Sequence, residues 1–196
     1  MTSTCHRCFP NIRRSSFSVQ VGDPPTELRL LPSTSLAQTL VVGPGGCPPN
    51  FNNYTFQSGL SGNEANPKGC STSRGELFDR RKDQSAATVA GMGNPKVYNL
   101  IDYQTVGNYG YNFSAYGYRS NIWPQRSSNK GIQAPIAEFN DINYTWLGLL
   151  SIDVRPANYT GEDNVTVQIP SLLESLASSG NIPSRSWGYH AGSYGR

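Results

Sequence analysis

Short β-like runs that end at glycine or proline are the feature that most constrains the fold of this chain. Residues 17–21 alternate apolar and polar side chains, as a strand with one buried face does. The next four turn residues are Gly-Asp-Pro-Pro at 22–25, and residues 27–31 return as a second strand. Only 15% of the 196 residues are charged, whereas 20 are glycine and 14 are proline. This pattern predicts an all-β fold that begins with a hairpin.

The rest of the chain carries further strand signals and one helix signal. Residues 170–180 place three leucines on one helical face, with a serine near the start and a glycine at the C-cap position, and so predict a short helix. Strands are predicted at residues 39–42, within 97–118, and at 135–139, 146–154 and 184–189. We find no internal repeat. We expect an irregular leader at residues 1–15 and one domain at residues 16–196.

The charge distribution argues against nucleic acid as a partner. The net charge is +3, and the basic residues are scattered rather than arranged in a stripe with stacking aromatics. The sequence holds no phosphate-binding, dinucleotide-binding or metalloprotease motif, so we expect no cofactor. Glu138 and Asp153 lie on strand-like segments, and nothing in the sequence joins them as an acid–base pair. We expect each carboxylate to be solvated or salt-bridged.

The four cysteines fall into two pairs. Cys47 and Cys70 flank a polar loop rich in proline, asparagine and glycine, and a disulfide between them is the preferred interpretation. Closing that loop would stabilise the fold by about 3 kcal/mol in the chain-entropy description. Cys5 and Cys8 form a lone Cys-x-x-Cys. A zinc site would need two more ligands at workable spacing, and the chain has only two histidines, so we expect no metal.

Glycosylation signals bear on the cellular compartment. Five Asn-x-Ser/Thr acceptors occur, at Asn53, Asn112, Asn143, Asn158 and Asn164, and none has proline in the middle position. Together with four cysteines they favour the secretory route, and the alternative is a cytosolic protein with coincidental acceptors. The first 14 residues show no signal peptide, and no stretch approaches the ~20 apolar residues that cross a bilayer. We expect a truncated product with secreted or cell-surface relatives.

Five blocks of sequence, in order, carry a family resemblance. They include the hairpin FSVQVGDPPTELRLL and the helix and strand PSLLESLASSGNIPSRSWGYHAG, of which the second is the more specific. This order resembles the amino-terminal lobe of fungal pepsin-like aspartic proteases, the peptidase A1 family. The resemblance covers residues 17–196, and its blocks are residues 17–31, 39–42 with the cystine loop, 75–88, 146–152 and 170–192.

The resemblance implies a closed, orthogonal β-barrel lobe with one short helix near the C-terminus. The family's active site uses two Asp-Thr/Ser-Gly loops, one per lobe, whose carboxylates share a proton. Alignment from the hairpin places Ser33, Thr34 and Ser35 on the first loop, so serine replaces the catalytic aspartate. No Asp-Thr-Gly or Asp-Ser-Gly occurs elsewhere, and we expect the second lobe to be absent. Tyr109 and Tyr111 are possible flap residues, and the alternative is that they cover a β surface.

These features lead to one functional expectation and two alternatives. We expect a secreted, glycosylated, catalytically inactive lobe that binds a peptide or protein through the family's extended cleft. One alternative is an acid endopeptidase whose site is completed by a second lobe or a partner. The other is an inert fragment that exposes the apolar surface of the missing interface and self-associates.

Overall fold

The computed structural model describes residues 16–47, 69–87, 97–101, 112–123, 131–140, 145–160 and 166–188. Strands dominate these ranges, and two short α-helices and two 3-10 turns accompany them. The strands are β1 (Phe17–Val21), β2 (Thr26–Ser33), β3 (Thr39–Val42), β4 (Val97–Ile101), β5 (Asn112–Trp123), β6 (Ile132–Phe139), β7 (Gly148–Ser151), β8 (Ala157–Thr160) and β9 (Thr166–Ile169). The helices are α1 (Cys70–Ser73) and α2 (Leu172–Ser178), and the 3-10 turns are Pro44–Gly46 and Arg80–Lys82.

Six of the strands close into a barrel, which confirms the all-β prediction. Their order is β1-β2-β7-β3-β6-β5, and β5 returns to β1 through the pairs Gln20↔Trp123 and Val21↔Ile122. β4 extends the sheet beyond β5 and lies outside the closed ring. Two pairs, β2 with β7 and β3 with β6, are parallel, whereas the others in the ring are antiparallel.

The barrel interior holds the core. Leu28 and Leu30 are buried at alternate positions of β2, and Ile136 on β6 is fully buried. Leu172 of α2 joins the same cluster, which explains why this helix lies on the barrel: it covers an apolar patch with its own apolar face. A side chain at Gly148 would meet the Leu40 carbonyl oxygen at 2.4 Å, so glycine allows β7 to approach β3.

The first hairpin is fixed to the barrel at its turn. Gly22 has φ +88°, a conformation that favours glycine, and the Asp23–Pro24 peptide bond that follows it is cis. The Asp83 carboxylate accepts the Asp23 backbone N–H at 2.8 Å and the Ser120 hydroxyl at 2.5 Å. These contacts join the turn to β5 through Asp83, which lies in the block 75–88.

Several local predictions are confirmed and others are wrong. The hairpin, the strand at 39–42 and the helix are present, and the helix has Ser171 as its N-cap and Gly180 at positive φ. The segment 146–154 forms a strand only over Gly148–Ser151. The strand predicted at 184–189 is wrong for residues 184–188, which are exposed and irregular. The β8–β9 hairpin was not predicted, and the predicted leader lies outside the described residues.

The described part of the chain contains no helix with the length and apolar character that crossing a membrane requires.

Candidate functional site

The loop that follows β2 is the candidate site. β2 ends at Ser33 and runs parallel to β7, so that Ser33 lies opposite Ser151. The Ile152 N–H donates to the Ser33 carbonyl oxygen at 2.9 Å and extends this pairing by one residue. Ser33 is buried and Thr34 is exposed. The Ser33 and Ser35 hydroxyl oxygens lie 3.3 Å apart, within hydrogen-bond distance.

Hydroxyl groups from neighbouring strands hold the far side of this loop. The Ser151 hydroxyl donates to the Leu36 carbonyl oxygen at 2.6 Å, and the Ser151 N–H donates to the Thr39 hydroxyl oxygen at 3.2 Å. Both contacts are buried, and Ser151 and Thr39 are almost fully enclosed. Buried polar groups are stable where each forms a hydrogen bond, as Ser151 and Thr39 do here. The loop therefore has a defined shape built on neutral hydrogen bonds.

A charged pair braces the same loop. The Asp153 carboxylate accepts the Arg155 backbone N–H at 2.9 Å and the guanidinium at 2.8 and 2.5 Å. The guanidinium also donates to the Ser35 carbonyl oxygen at 3.2 Å. Burial alone raises the pKa of Asp153, but the side-chain and backbone hydrogen bonds from Arg155 outweigh it and lower the pKa below its ordinary value. Asp153 is therefore ionised and its charge is paired with that of Arg155. Of the two expectations for this carboxylate, the salt-bridged one is confirmed.

Glu138 is not joined to this pair. It lies on β6 at the position that pairs with Val41, and its carboxylate accepts the Arg80 backbone N–H at 3.2 Å. It is only 6% exposed, so it is a buried carboxylate rather than a solvated one. Burial raises its pKa, and the Arg80 N–H and positive charge oppose that effect only in part. Its hydrogen bond therefore supports the Arg80–Lys82 turn.

An open groove lies next to α2. Its volume is about 350 Å³, which is in the lower range for ligand pockets. Its rim carries an ion pair in which the Arg185 guanidinium lies 2.6 Å from the Glu174 carboxylate. The groove is lined by Val154, Pro156, Gln168, Pro170, Ser171, Glu174 and Arg185. Both apolar and hydrogen-bonding groups thus line the groove.

A buried arginine joins the cystine loop to the segment that precedes β7. Cys47 and Cys70 form the predicted disulfide, with their Cα atoms 6.0 Å apart. Arg74 follows α1 and is fully buried. Its guanidinium donates to three backbone carbonyl oxygens, at 2.7, 3.0 and 2.9 Å, which belong to Gly46, Thr145 and Trp146. The guanidinium carbon also lies 5.2 Å from the centre of the Trp146 ring.

The other predicted site residues are only partly within the described residues. Asn112 begins β5, and Asn158 is exposed on β8. The possible flap residues and three acceptors lie outside the described residues, as do the lone Cys-x-x-Cys and both histidines; they are Tyr109, Tyr111, Asn53, Asn143, Asn164, Cys5, Cys8, His6 and His190. Among described residues, no group of three or more His, Cys, Asp or Glu could hold a metal ion.

Sequence reasoning named Asp153 but missed the other supporting groups of the site. Asp153 and Arg155 form an Asp-x-Arg pair, a signal that was available in the sequence, but only the fold brings that pair to the Ser35 carbonyl. Ser151 and Thr39 carry no motif at all. The described part of this loop offers hydroxyl donors and acceptors beside the Asp153–Arg155 ion pair, and these groups can form hydrogen bonds with a ligand. Comparison with protein-family models and with curated proteins finds no match.

Proposed function

We propose that this chain is a catalytically inactive, pepsin-like lobe that binds a peptide or protein segment at the loop after β2. The observation that carries the proposal is the position of Ser33, a buried hydroxyl at the end of a barrel strand where the family resemblance calls for a carboxylate. The closed six-stranded barrel agrees with the fold that the resemblance implies. The scaffold is retained while the reacting group is replaced.

Hydrolysis by the family requires two carboxylates close enough to share one proton, because both cannot ionise at that distance. The Ser33 hydroxyl cannot substitute, since it does not titrate near working pH and its 3.3 Å partner is another hydroxyl. Asp153 is the carboxylate that hydrogen bonds connect to this loop, and Arg155 occupies its oxygens. Among the residues that the structure describes, no group is placed at this loop to activate water.

Binding needs only the groups that are present. The exposed Thr34 offers a hydroxyl that can donate to or accept from a ligand backbone. An extended ligand segment would add its own backbone hydrogen bonds by strand addition, as in other sheet-edge complexes. β4 is a suitable edge, because among the described strands it pairs with β5 alone.

Cleavage of a mixed denatured-protein substrate between acidic and neutral pH tests the absence of catalysis. The wild-type chain, a Ser33→Asp variant and a Ser35→Asp control should be assayed in parallel. We expect no turnover by the wild type. Turnover that co-purifies with the wild type and stops with an aspartic-protease inhibitor would refute the proposal and favour the endopeptidase alternative.

Binding is tested separately with the peptides of the same substrate digest. We expect the immobilised wild-type chain to retain a subset of extended peptides, and a Thr34→Arg variant at the exposed loop position to lose that subset. A Lys82→Met variant, exposed on the Arg80–Lys82 turn, serves as the matched control and should bind as the wild type does. A wild-type chain that retains no peptide and self-associates would favour the inert-fragment alternative instead.

A further inference from the structure

One glycosylation acceptor has a defined position on the described surface. Asn158 lies on β8, within Asn-Tyr-Thr, and is exposed. Its neighbour Ala157 is fully buried and packs with Ile169 and Ala37, so this face of the β8–β9 hairpin points into the protein. Successive side chains of a strand point to opposite faces. Asn158 therefore points outward.

The groove described above lies on that outward face. Asn158 pairs directly with Gln168 of β9, and residues opposite each other in an antiparallel pair project from the same face. Gln168 lines the groove. Pro156, just before β8, and Pro170, just after β9, lie two residues from Asn158 and Gln168, are exposed, and line the groove too. A group attached to Asn158 would thus begin at the edge of the groove.

The groove has the chemistry that a sugar ring needs. Two prolines and Val154 offer apolar surface for the C–H faces of the ring. Gln168 and the paired Glu174 and Arg185 offer hydrogen-bond donors and acceptors for hydroxyl and acetamido groups. A volume of about 350 Å³ suits a small group rather than a long peptide. This combination favours a single sugar residue as the occupant.

We propose that Asn158 is an N-glycosylation site and that the first N-acetylglucosamine of its glycan lies in this groove. In the modification, a bond forms between the Asn158 amide nitrogen and the anomeric carbon of a diphosphate-linked oligosaccharide. The bond from that carbon to the diphosphate breaks, the diphosphate leaves, and the amide gives up one proton. The proposal concerns a surface apart from the Ser33 loop and does not rest on the proposed peptide binding.

The test uses the full chain, secreted from yeast behind a cleavable signal. Enzymatic release of the glycans in heavy-oxygen water, followed by peptide mass spectrometry, should place the label on Asn158. Trimming the folded protein with an endoglycosidase leaves a single N-acetylglucosamine and isolates its effect. The trimmed chain should show a folded-to-unfolded ratio about fivefold above that of Asn158→Gln, the size of one net hydrogen bond. The other acceptors are common to both proteins and cancel.

A double-mutant cycle with Gln168→Ala tests the groove itself. We expect the glycan at Asn158 to leave the folded-to-unfolded ratio unchanged in the Gln168→Ala background. An unmodified Asn158 in a chain glycosylated at other acceptors would overturn the site. If the glycan raises the folded-to-unfolded ratio equally with and without Gln168, or does not raise it at all, the proposal that the sugar lies in the groove is overturned. If Asn158→Gln is poorly secreted, Thr160→Ala removes the same acceptor motif, leaves the other acceptors in place and gives the same comparison.

Discussion

Arg74 offers the sharpest test of how the barrel and the cystine loop are held together. We consider Arg74→Met, which keeps a long apolar side chain in the same space but removes the charge and every donor. Three carbonyl oxygens lose a charged donor, from Gly46, Thr145 and Trp146. The Gly46 contact is fully buried, so water cannot replace it without opening the loop.

The magnitude follows from these three contacts. A hydrogen bond to a charged group contributes about 1.5–3 kcal/mol, and three at the low end amount to about 4.5 kcal/mol. Removing the charge also relieves its own desolvation cost, which offsets part of the loss. We therefore expect Arg74→Met to lower the free energy of unfolding by about 3–4 kcal/mol. That is a large share of the stability of an ordinary domain, about 5–15 kcal/mol in total.

Urea unfolding in oxidising buffer, followed by tryptophan fluorescence and far-ultraviolet circular dichroism, measures this change. Coincident transitions with both probes justify two-state treatment. Lys82→Met is the matched control because Lys82 is exposed, and its midpoint should equal that of the wild type. Arg74→Lys should fall between the two, since an ammonium group cannot reach three acceptors in the geometry of a guanidinium. A loss below about 1 kcal/mol for Arg74→Met would refute the reasoning.

Three further predictions concern other buried groups. Asp153→Asn should lower the free energy of unfolding by about 1–2 kcal/mol at neutral pH. The pKa of Asp153 is lowered in the folded state, so the stability advantage of the wild type should disappear as pH falls through that pKa. An acid-unfolding series measures this, and a difference that does not depend on pH would contradict it. Glu138 has a raised pKa in the folded state, so its charged form destabilises the fold above that pKa. Glu138→Gln keeps an acceptor for the Arg80 N–H, and its melting temperature should exceed that of the wild type at neutral pH. This difference in melting temperature should vanish below about pH 4. Gly75 has φ +78° and an added Cβ would lie 2.3 Å from the Arg29 carbonyl oxygen, so Gly75→Ala should cost more than about 1 kcal/mol in chemical unfolding, and an unchanged midpoint would be evidence against the strained turn.

Local pattern predicts those parts of this fold whose signals are local. The first hairpin alternates over five residues and ends in turn residues, and the structure contains it in that register. The β8–β9 hairpin was missed because four-residue strands carry a weak pattern, and what stabilises it is the packing of Ala157 and Ile169 against distant Ala37. The strand expected at 184–189 followed from residue type alone. Its described part has no neighbour that would bury a face.

Barrel closure lies beyond local pattern. β1 meets β5 about a hundred residues later in the chain, through the pair Val21↔Ile122, and no spacing in the sequence indicates that meeting. Arg74 was missed for a related reason. A single arginine beside a cystine looks like a solvated side chain, and only the fold brings three carbonyl groups around it. The disulfide was predictable because both partners were of a rare residue type flanking one loop.

The pairing of β2 with β7 determines what kind of chemistry the candidate site can perform. Because the two strands are parallel, Ser33 and Ser151 face each other at the strand ends, and both contribute neutral hydroxyl groups. A hydroxyl can act as donor or acceptor without titrating, so the hydroxyl hydrogen bonds of this loop do not change with pH. The titratable support is the Asp153–Arg155 pair, which donates to the Ser35 carbonyl. A ligand bound at the loop should therefore remain bound from neutral pH down to the lowered pKa of Asp153, below which the brace loses its negative partner. A proteolytic site built on two carboxylates would instead change its protonation within the acidic range, and this contrast separates the two kinds of site on physical grounds.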